Sequence, residues 1–248
     1  MNTGKLYDQE KRANENLTYV IVNSEATRQL YAGCFSVKED QVKVLGLPRT
    51  DLLFSEKELL RRRTLFFKQY PDIMNKKLVL YAPTFRDSEV NAPMLHLDIE
   101  KMAKELPDEY CLGLRLHPFV AGRFKLEQDY GGKVINFSSY DNLNTLLMAA
   151  DVLITDYSSI IFEYCVFRRP MIFYAYDLEE FSDAGRGFYR DYREYVPGPV
   201  VETTEEILKV FQEKDWQKEK LQEFLKDSYA YVDGKSAKRV VDFVMNRS

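Results

Sequence analysis

The chain has 248 residues, 45% of them hydrophobic and 30% charged, with a formal net charge of −4. That balance suits a soluble globular protein of one large or two smaller domains. It argues against bulk nucleic-acid binding, which needs a basic surface to displace counterions, but not against a small anionic ligand held by a few local donors.

No run approaches the ~18 apolar residues of a membrane span, and the N-terminus has no apolar signal-peptide core. Cys34, Cys111 and Cys165 are sparse and lack metal-ligand spacing. Together these predict a cytoplasmic chain with reduced thiols.

Along the chain, "YVIV" (19–22) leads into "NSEATRQLYAGCF", where Asn23 or Ser24 is placed to cap a helix. "VKVLGLPRTDLLF" (42–54) reads as a strand ended by Gly46 and Pro48, so the opening stretch is one β-α-β-like unit. A charged helix follows, "SEKELLRRRTLFFKQY" (55–70), with Ser55 as its cap. From there short apolar strands alternate with helices. The strands are expected at 77–83, 111–117, 133–137, 151–155, 171–176 and 199–201, with helices at 98–106, 142–150 and 159–167. This alternation predicts right-handed crossovers and a mainly parallel sheet covered on both faces. The tail reads as amphipathic helix.

In such sheets a ligand sits at the carboxyl ends of the strands. The polar residues directly after those ends are "TFRD" (84–87), "HP" (117–118), "SSYDN" (138–142) and "TDYSS" (155–159). Ser158 and Ser159 stand where a helix begins, and free N–H groups with two hydroxyls there make a phosphate cradle. The alternative is an ordinary capped turn. Glu163 shares the helix face of Ser159 and suits a ribose, or simply solvates the helix. His117, one of two histidines, has the titration range of a general base and as imidazolium neutralises phosphate. His96 lies in an irregular segment and reads as structural. Thr84 and Arg86 follow the first strand of the large sheet, where arginine matches phosphate bidentately unless it merely pairs with Asp87. The loop "RGFYRDYREYVPGP" (186–199) packs three arginines and three tyrosines, a composition that suits anion binding, stacking on a base or simple solvation, and Asp183 and Arg186 are further candidates.

The ordered motifs "YAPTFRD", "LRLHP", "TDYSSIIFEY", "FRRPMIFYAYD" and "YVDGKSAKRVVDFV" resemble those of the CDP-glycerol:polyglycerophosphate glycerophosphotransferases, the teichoic-acid polymerase and primase family. The resemblance runs from about residue 18 to the end, and its specificity lies in the order of the motifs. It implies an α/β, GT-B-like fold with a Rossmann-type doubly wound parallel sheet. Residues 1–54 would be a remnant of the N-terminal acceptor-side domain, and residues 55–248 a CDP-alcohol-binding domain with C-terminal helices. The family's N-terminal domain carries a "WHGT"-type motif whose histidine is proposed as catalytic base, and no His-Gly dipeptide occurs here.

By motif, the resemblance makes His117 catalytic at the donor pyrophosphate. It places Thr84, Arg86, Asp156, Ser158 and Ser159 at the donor phosphates, and Glu163 toward the nucleoside. "DGKxS" carries over Asp233, Gly234, Lys235 and Ser236 without a role. The implied activity moves glycerol-phosphate from CDP-glycerol to a growing teichoic-acid or related cell-wall polymer, releasing CMP. No cofactor and no protein-bound metal are expected. The implied partners are CDP-glycerol or CDP-ribitol and a polymer acceptor on a lipid carrier, with peripheral contact at the inner face of the cell membrane. The alternatives are a CDP-ribitol-using enzyme, a GT-B nucleotide-sugar glycosyltransferase, and a donor-binding fragment without catalysis of its own.

Overall fold

In the computed structural model, which describes residues 12–14, 16–86, 95–182, 188 and 190–246, the apolar runs become two parallel sheets. The described residues up to Glu56 and those from Leu225 onward form one compact unit, and Lys57–Phe224 form the other.

The first unit opens with β1 (Val20–Val22), α1 (Glu25–Phe35) and β2 (Val42–Val44). The strands pair in parallel, with Val20 opposite Val42, around a small core of Val20, Val22, Ala32 and Val42. This is the expected β-α-β unit. Ser24 occupies the N-cap position of α1 but makes no side-chain capping bond. The second strand stops well short of residue 54. Gly46 turns the chain at φ +81°, a conformation costly for any residue with a Cβ, and Pro48 then opens a 3-10 helix, Pro48–Phe54.

The second unit begins with α2 (Glu56–Gln69) and continues through β3 (Lys77–Tyr81), α3 (Ile99–Glu105), β4 (Tyr110–Leu114), α4 (Pro118–Ala121) and β5 (Val134–Asn136). Then come α5 (Leu143–Ala149), β6 (Val152–Thr155), α6 (Ile160–Tyr164), β7 (Met171–Tyr174), α7 (Leu178–Phe181) and α8 (Tyr192–Tyr195). β8 (Val200–Val201), α9 (Thr204–Glu213) and α10 (Lys218–Ser228) close the series.

All six expected strands form, and they align in parallel in the order β5-β4-β3-β6-β7-β8. This is the Rossmann order, in which the chain reverses direction between its first and fourth strands, here β3 and β6. Side-chain alternation divides the core. Val79, Tyr81, Leu112, Leu114, Val152 and Ile154 face Met102 and Leu106 of the α3 region and Ile207, Leu208 and Phe211 of α9. Leu78, Leu80, Cys111 and Leu153 occupy the other parity and are equally buried. Both faces are therefore covered, which suits an all-parallel sheet whose strands read as nearly continuous apolar runs.

The last helix, α11 (Ser236–Met245), belongs to the first unit. Its N-cap residue, Lys235, offers no side-chain capping bond. Asp51 supplies the cap from far away in sequence, its carboxylate accepting from Ser236 N and Ala237 N at 2.8 Å each. Arg239 donates to the Leu45 carbonyl and to Asp233. The "DGKxS" residues thus form a joint between the tail and the 3-10 helix. Gly234, at φ +64°, is required there, since an added Cβ would stand 3.0 Å from the Asp51 carbonyl oxygen. Asp51→Ala leaves two helix-start N–H groups without their acceptor. It should lower stability by about 1–2 kcal/mol in urea unfolding, and an unchanged midpoint would show that the cap is dispensable.

Candidate functional site

The carboxyl ends of β3 and β6 mark the switch point of the sheet, and hydrogen bonds continue past both strands. Ala82 N donates to Ile154 O at 2.9 Å, and Thr155 Oγ1 donates to Ala82 O at 2.7 Å. Asp156, 2% exposed, extends the series by accepting from Thr84 N at 2.8 Å and from Tyr157 N at 2.7 Å. The aspartate of "TDYSS" therefore locks the loop after β6 to the loop after β3. A polar residue interrupts the apolar run because two backbone N–H groups need an acceptor where the ladder ends.

Arg86 lies beside this lock and is itself buried. Its Nε and Nη2 donate to Asp177 at 2.7 and 2.9 Å, and Nη1 donates to Thr84 O at 2.6 Å. Nη2 also stands 3.0 Å from Asp156 Oδ2 as an ion pair, although no directed hydrogen bond reaches that oxygen. The guanidinium is flanked by the rings of Tyr157, Phe181 and Tyr176 at 5.0, 5.4 and 5.5 Å. Tyr157 OH donates to Asp177 Oδ1 at 2.9 Å.

The two carboxylates respond differently to this setting. Burial pushes the Asp156 carboxyl above its ordinary range, against the Arg86 charge and the Thr84 hydrogen bonds. Burial also raises Asp177, but there the hydrogen bond and charge of Arg86, with the Tyr157 hydroxyl, prevail and hold the carboxyl low.

The helix start beyond the lock is open. Ser159 holds the N-cap position of α6 without a side-chain capping bond, and Ser158 Oγ accepts only a long 3.4 Å bond from Ile160 N. Among the described residues, the backbone N–H groups of Ser158 and Ser159 take no partner. Two hydroxyls and two N–H groups thus stand at one turn, an arrangement suited to an anion. Glu163 is half-buried on the same helix.

His117, exposed, caps α4 through its own ring: Nδ1 accepts from Phe119 N at 3.3 Å. The ring stacks on Phe85 at 5.1 Å and 25°. With Nδ1 used as an acceptor, the neutral imidazole carries its proton on Nε2 and presents a donor. Behind it, Ser138 Oγ accepts from Leu116 N at 3.0 Å, tying the loop after β4 to the loop after β5.

Residues 1–246 match the CDP-glycerol:poly(glycerophosphate) glycerophosphotransferase family. The chain belongs to this family. It is 37% identical over 235 residues to a teichoic acid poly(ribitol-phosphate) polymerase of Bacillus spizizenii, a match covering 94% of this chain and 38% of that one. It is 33% identical over 230 residues to the teichoic acid glycerol-phosphate primase of Bacillus subtilis, covering 92% and 57%. The solved wall teichoic acid polymerase TagF superposes with a TM-score of 0.87 at 27% identity, covering all of this chain and 62% of that one. A variant of TagF has also been solved after a soak with CDPG. The chain thus spans between 38% and 62% of the length of these three relatives.

Within this member of the glycerophosphotransferase family, the structure brings Thr84, Arg86, His117, Asp156, Ser158 and Ser159 to one edge of one sheet, with Glu163 on the helix that starts there. Arg86 differs from its expected setting, because its donors are directed at Asp177 and the Thr84 carbonyl, with Asp156 as an ion-pair partner, and not outward. Asp87, Asp183 and Arg186 lie outside the described residues.

Sequence reading missed Asp177, although it follows the end of β7 and met the same criterion as the four clusters chosen. His96, read as structural, stacks on Tyr176 at 3.9 Å and so lies one ring away from Arg86. Among the described residues, no group of three or more His, Cys, Asp or Glu is placed to hold a metal ion.

Asp177→Ala leaves Arg86 paired with Asp156 but takes the acceptor from its Nε and Nη2, so it should cost about 1–3 kcal/mol of stability. A carboxyl with a lowered folded-state pKa contributes stability that is present above its unfolded value, about 4, and is lost as pH falls through the folded value. The stability gap between wild type and Asp177→Asn should accordingly narrow below about pH 4. A gap that stays constant from pH 7 to pH 3 would mean that Arg86 gains nothing from that charge.

Proposed function

We propose that this chain holds the CDP-alcohol in a polyol-phosphate transfer of the teichoic-acid type, in which glycerol-phosphate passes from CDP-glycerol to a polymer end. The observation that carries the reading is the Ser158–Ser159 turn at the switch point of a Rossmann-ordered sheet, whose two backbone N–H groups take no partner among the described residues, in a member of this family. In the reaction an acceptor hydroxyl oxygen bonds to the β-phosphorus in line. The bond from that phosphorus to the bridging oxygen breaks, CMP leaves with the electron pair, and the proton of the attacking hydroxyl passes to water. Such transfers depend on positioning and on neutralising phosphate charge.

Each site residue takes a role that its geometry suits. The N–H groups and hydroxyls of Ser158 and Ser159 receive the pyrophosphate, and Glu163 lies toward the ribose. His117 donates from Nε2 to a phosphate oxygen of the departing CMP. In this tautomer Nε2 already carries a proton, and the one basic nitrogen, Nδ1, accepts the capping bond, so this geometry favours a donor over a base. Asp156 shapes the crevice by holding Thr84, and Arg86 fixes both. Arg86 is thus a positioning residue and not a direct phosphate ligand.

Acceptance of a polymer on a lipid carrier, with peripheral contact at the inner membrane face, follows from the same reading. Among the described residues no helix is long and apolar enough to cross a membrane. The second reading is CDP-ribitol as donor. It is favoured by the 37% identity to a ribitol-phosphate polymerase, against 33% to a glycerol-phosphate primase.

Calorimetric titration with CDP-glycerol, CDP-ribitol, CMP and a UDP-sugar distinguishes these readings, and preferential binding of the UDP-sugar would refute the function. Losing a hydrogen bond to a charged group costs about ten- to a hundredfold in affinity. Ser158→Ala with Ser159→Ala should therefore weaken the CDP-alcohol by at least about tenfold. Cytidine, without phosphate, should bind both proteins alike. His117→Ala should lower turnover or donor affinity, and equal turnover and affinity would remove His117 from the site.

A further inference from the structure

Phe119 leaves 66% of its surface in water, although it lies two residues past His117 at the ligand-facing edge of the sheet. A single exposed apolar residue is ordinary, but this ring is part of a cluster. Its centroid stands 5.0 Å from the His117 imidazole and 5.7 Å from the Phe85 ring, and Phe85 in turn stacks on His117. The three rings come from the loops after β3 and β4. The bond from Phe119 N to His117 Nδ1 fixes two of them to each other. Phe85 is flanked in sequence by Thr84 and Arg86, both held at Asp156, so the cluster begins where the polar crevice ends. His117 and Phe119 are both exposed, and core packing does not account for placing rings there.

A flat apolar face adjoining a set of anion donors matches a nucleoside phosphate, which is charged at one end and aromatic at the other. We propose that Phe119, backed by His117 and Phe85, is the platform on which the donor's nucleobase stacks. This rests on the reading that the crevice takes a nucleotide-activated donor, and it adds where the base goes. Stacking uses the π-face that every base possesses, so the platform supplies affinity and not the choice of cytosine.

The test titrates the full chain calorimetrically with CMP, UMP and inorganic pyrophosphate. Phe119→Ala should weaken CMP and UMP together, by roughly five- to a hundredfold, and leave pyrophosphate unchanged. Phe119→Tyr should bind as wild type does, and Phe119→Leu, which keeps bulk without a π-face, should lose affinity as the alanine variant does. Melting temperatures should stay level, because the ring is exposed. Undiminished CMP affinity in Phe119→Ala, full affinity in Phe119→Leu, or an equal loss for pyrophosphate would each overturn the platform. A wild-type chain that binds no nucleotide would instead sink the donor-site reading itself, and the platform with it.

Discussion

The arrangement at the carboxyl edge of the large sheet depends on one buried guanidinium. Arg86 joins the loops after β3, β6 and β7 by reaching Thr84, Asp156 and Asp177 with directed donors or as an ion pair, and three aromatic rings keep water from it. An ion pair removed from water gains little net stability over an apolar replacement, because desolvation offsets most of the attraction. Its effect lies in geometry. A planar fork with fixed donor directions admits few arrangements of its partners, so the loop after β7 is held to the two loops that Asp156 already joins. The network carries one carboxylate in excess of its cation. Burial, and not that excess, pushes the Asp156 carboxyl above its ordinary range, against the charge of Arg86.

His117 shows a second constraint of the same kind. A histidine at the end of a strand offers a base, an acid or a phosphate partner when considered alone. Once Nδ1 accepts the N–H that begins α4, the choice narrows, because one nitrogen is committed to the backbone and only the other faces outward. Phe85 and Phe119 lie against the ring and restrict its rotation. A structural capping bond thus sets the chemical polarity of the side chain.

The two units illustrate different sources of stability. The six-stranded sheet buries apolar side chains on both faces and needs little beyond packing. Among its described residues the first unit has two strands and a core of a few small side chains. It recruits a helix from the far end of the chain through Asp51 and Arg239. Polar caps and left-handed glycines take on more of the work where the apolar core is small.

Local pattern determined most of the architecture. Each of the six strands of the large sheet was legible because a fully buried parallel strand is a short apolar run between turns, and the site edge followed from where those runs end. The Ser158–Ser159 turn and His117 were legible for the same reason, since each stands directly after a strand. Tertiary structure decided which partner each polar group found. Arg86 meets Asp177 across 91 residues, and Asp51 caps Ser236 across 185. No periodicity encodes such pairings, because periodicity reports which face a residue occupies and not which distant loop arrives there. The strand expected to run to residue 54 failed for a local reason: Gly46 and Pro48 set the backbone of a turn and a 3-10 helix against the extended preference of the apolar residues around them. The sequence therefore determined the sheet and its binding edge. Folding alone determined that the arginine at that edge points inward, where Asp177 and the Thr84 carbonyl accept its donors and Asp156 adds a second negative charge beside it.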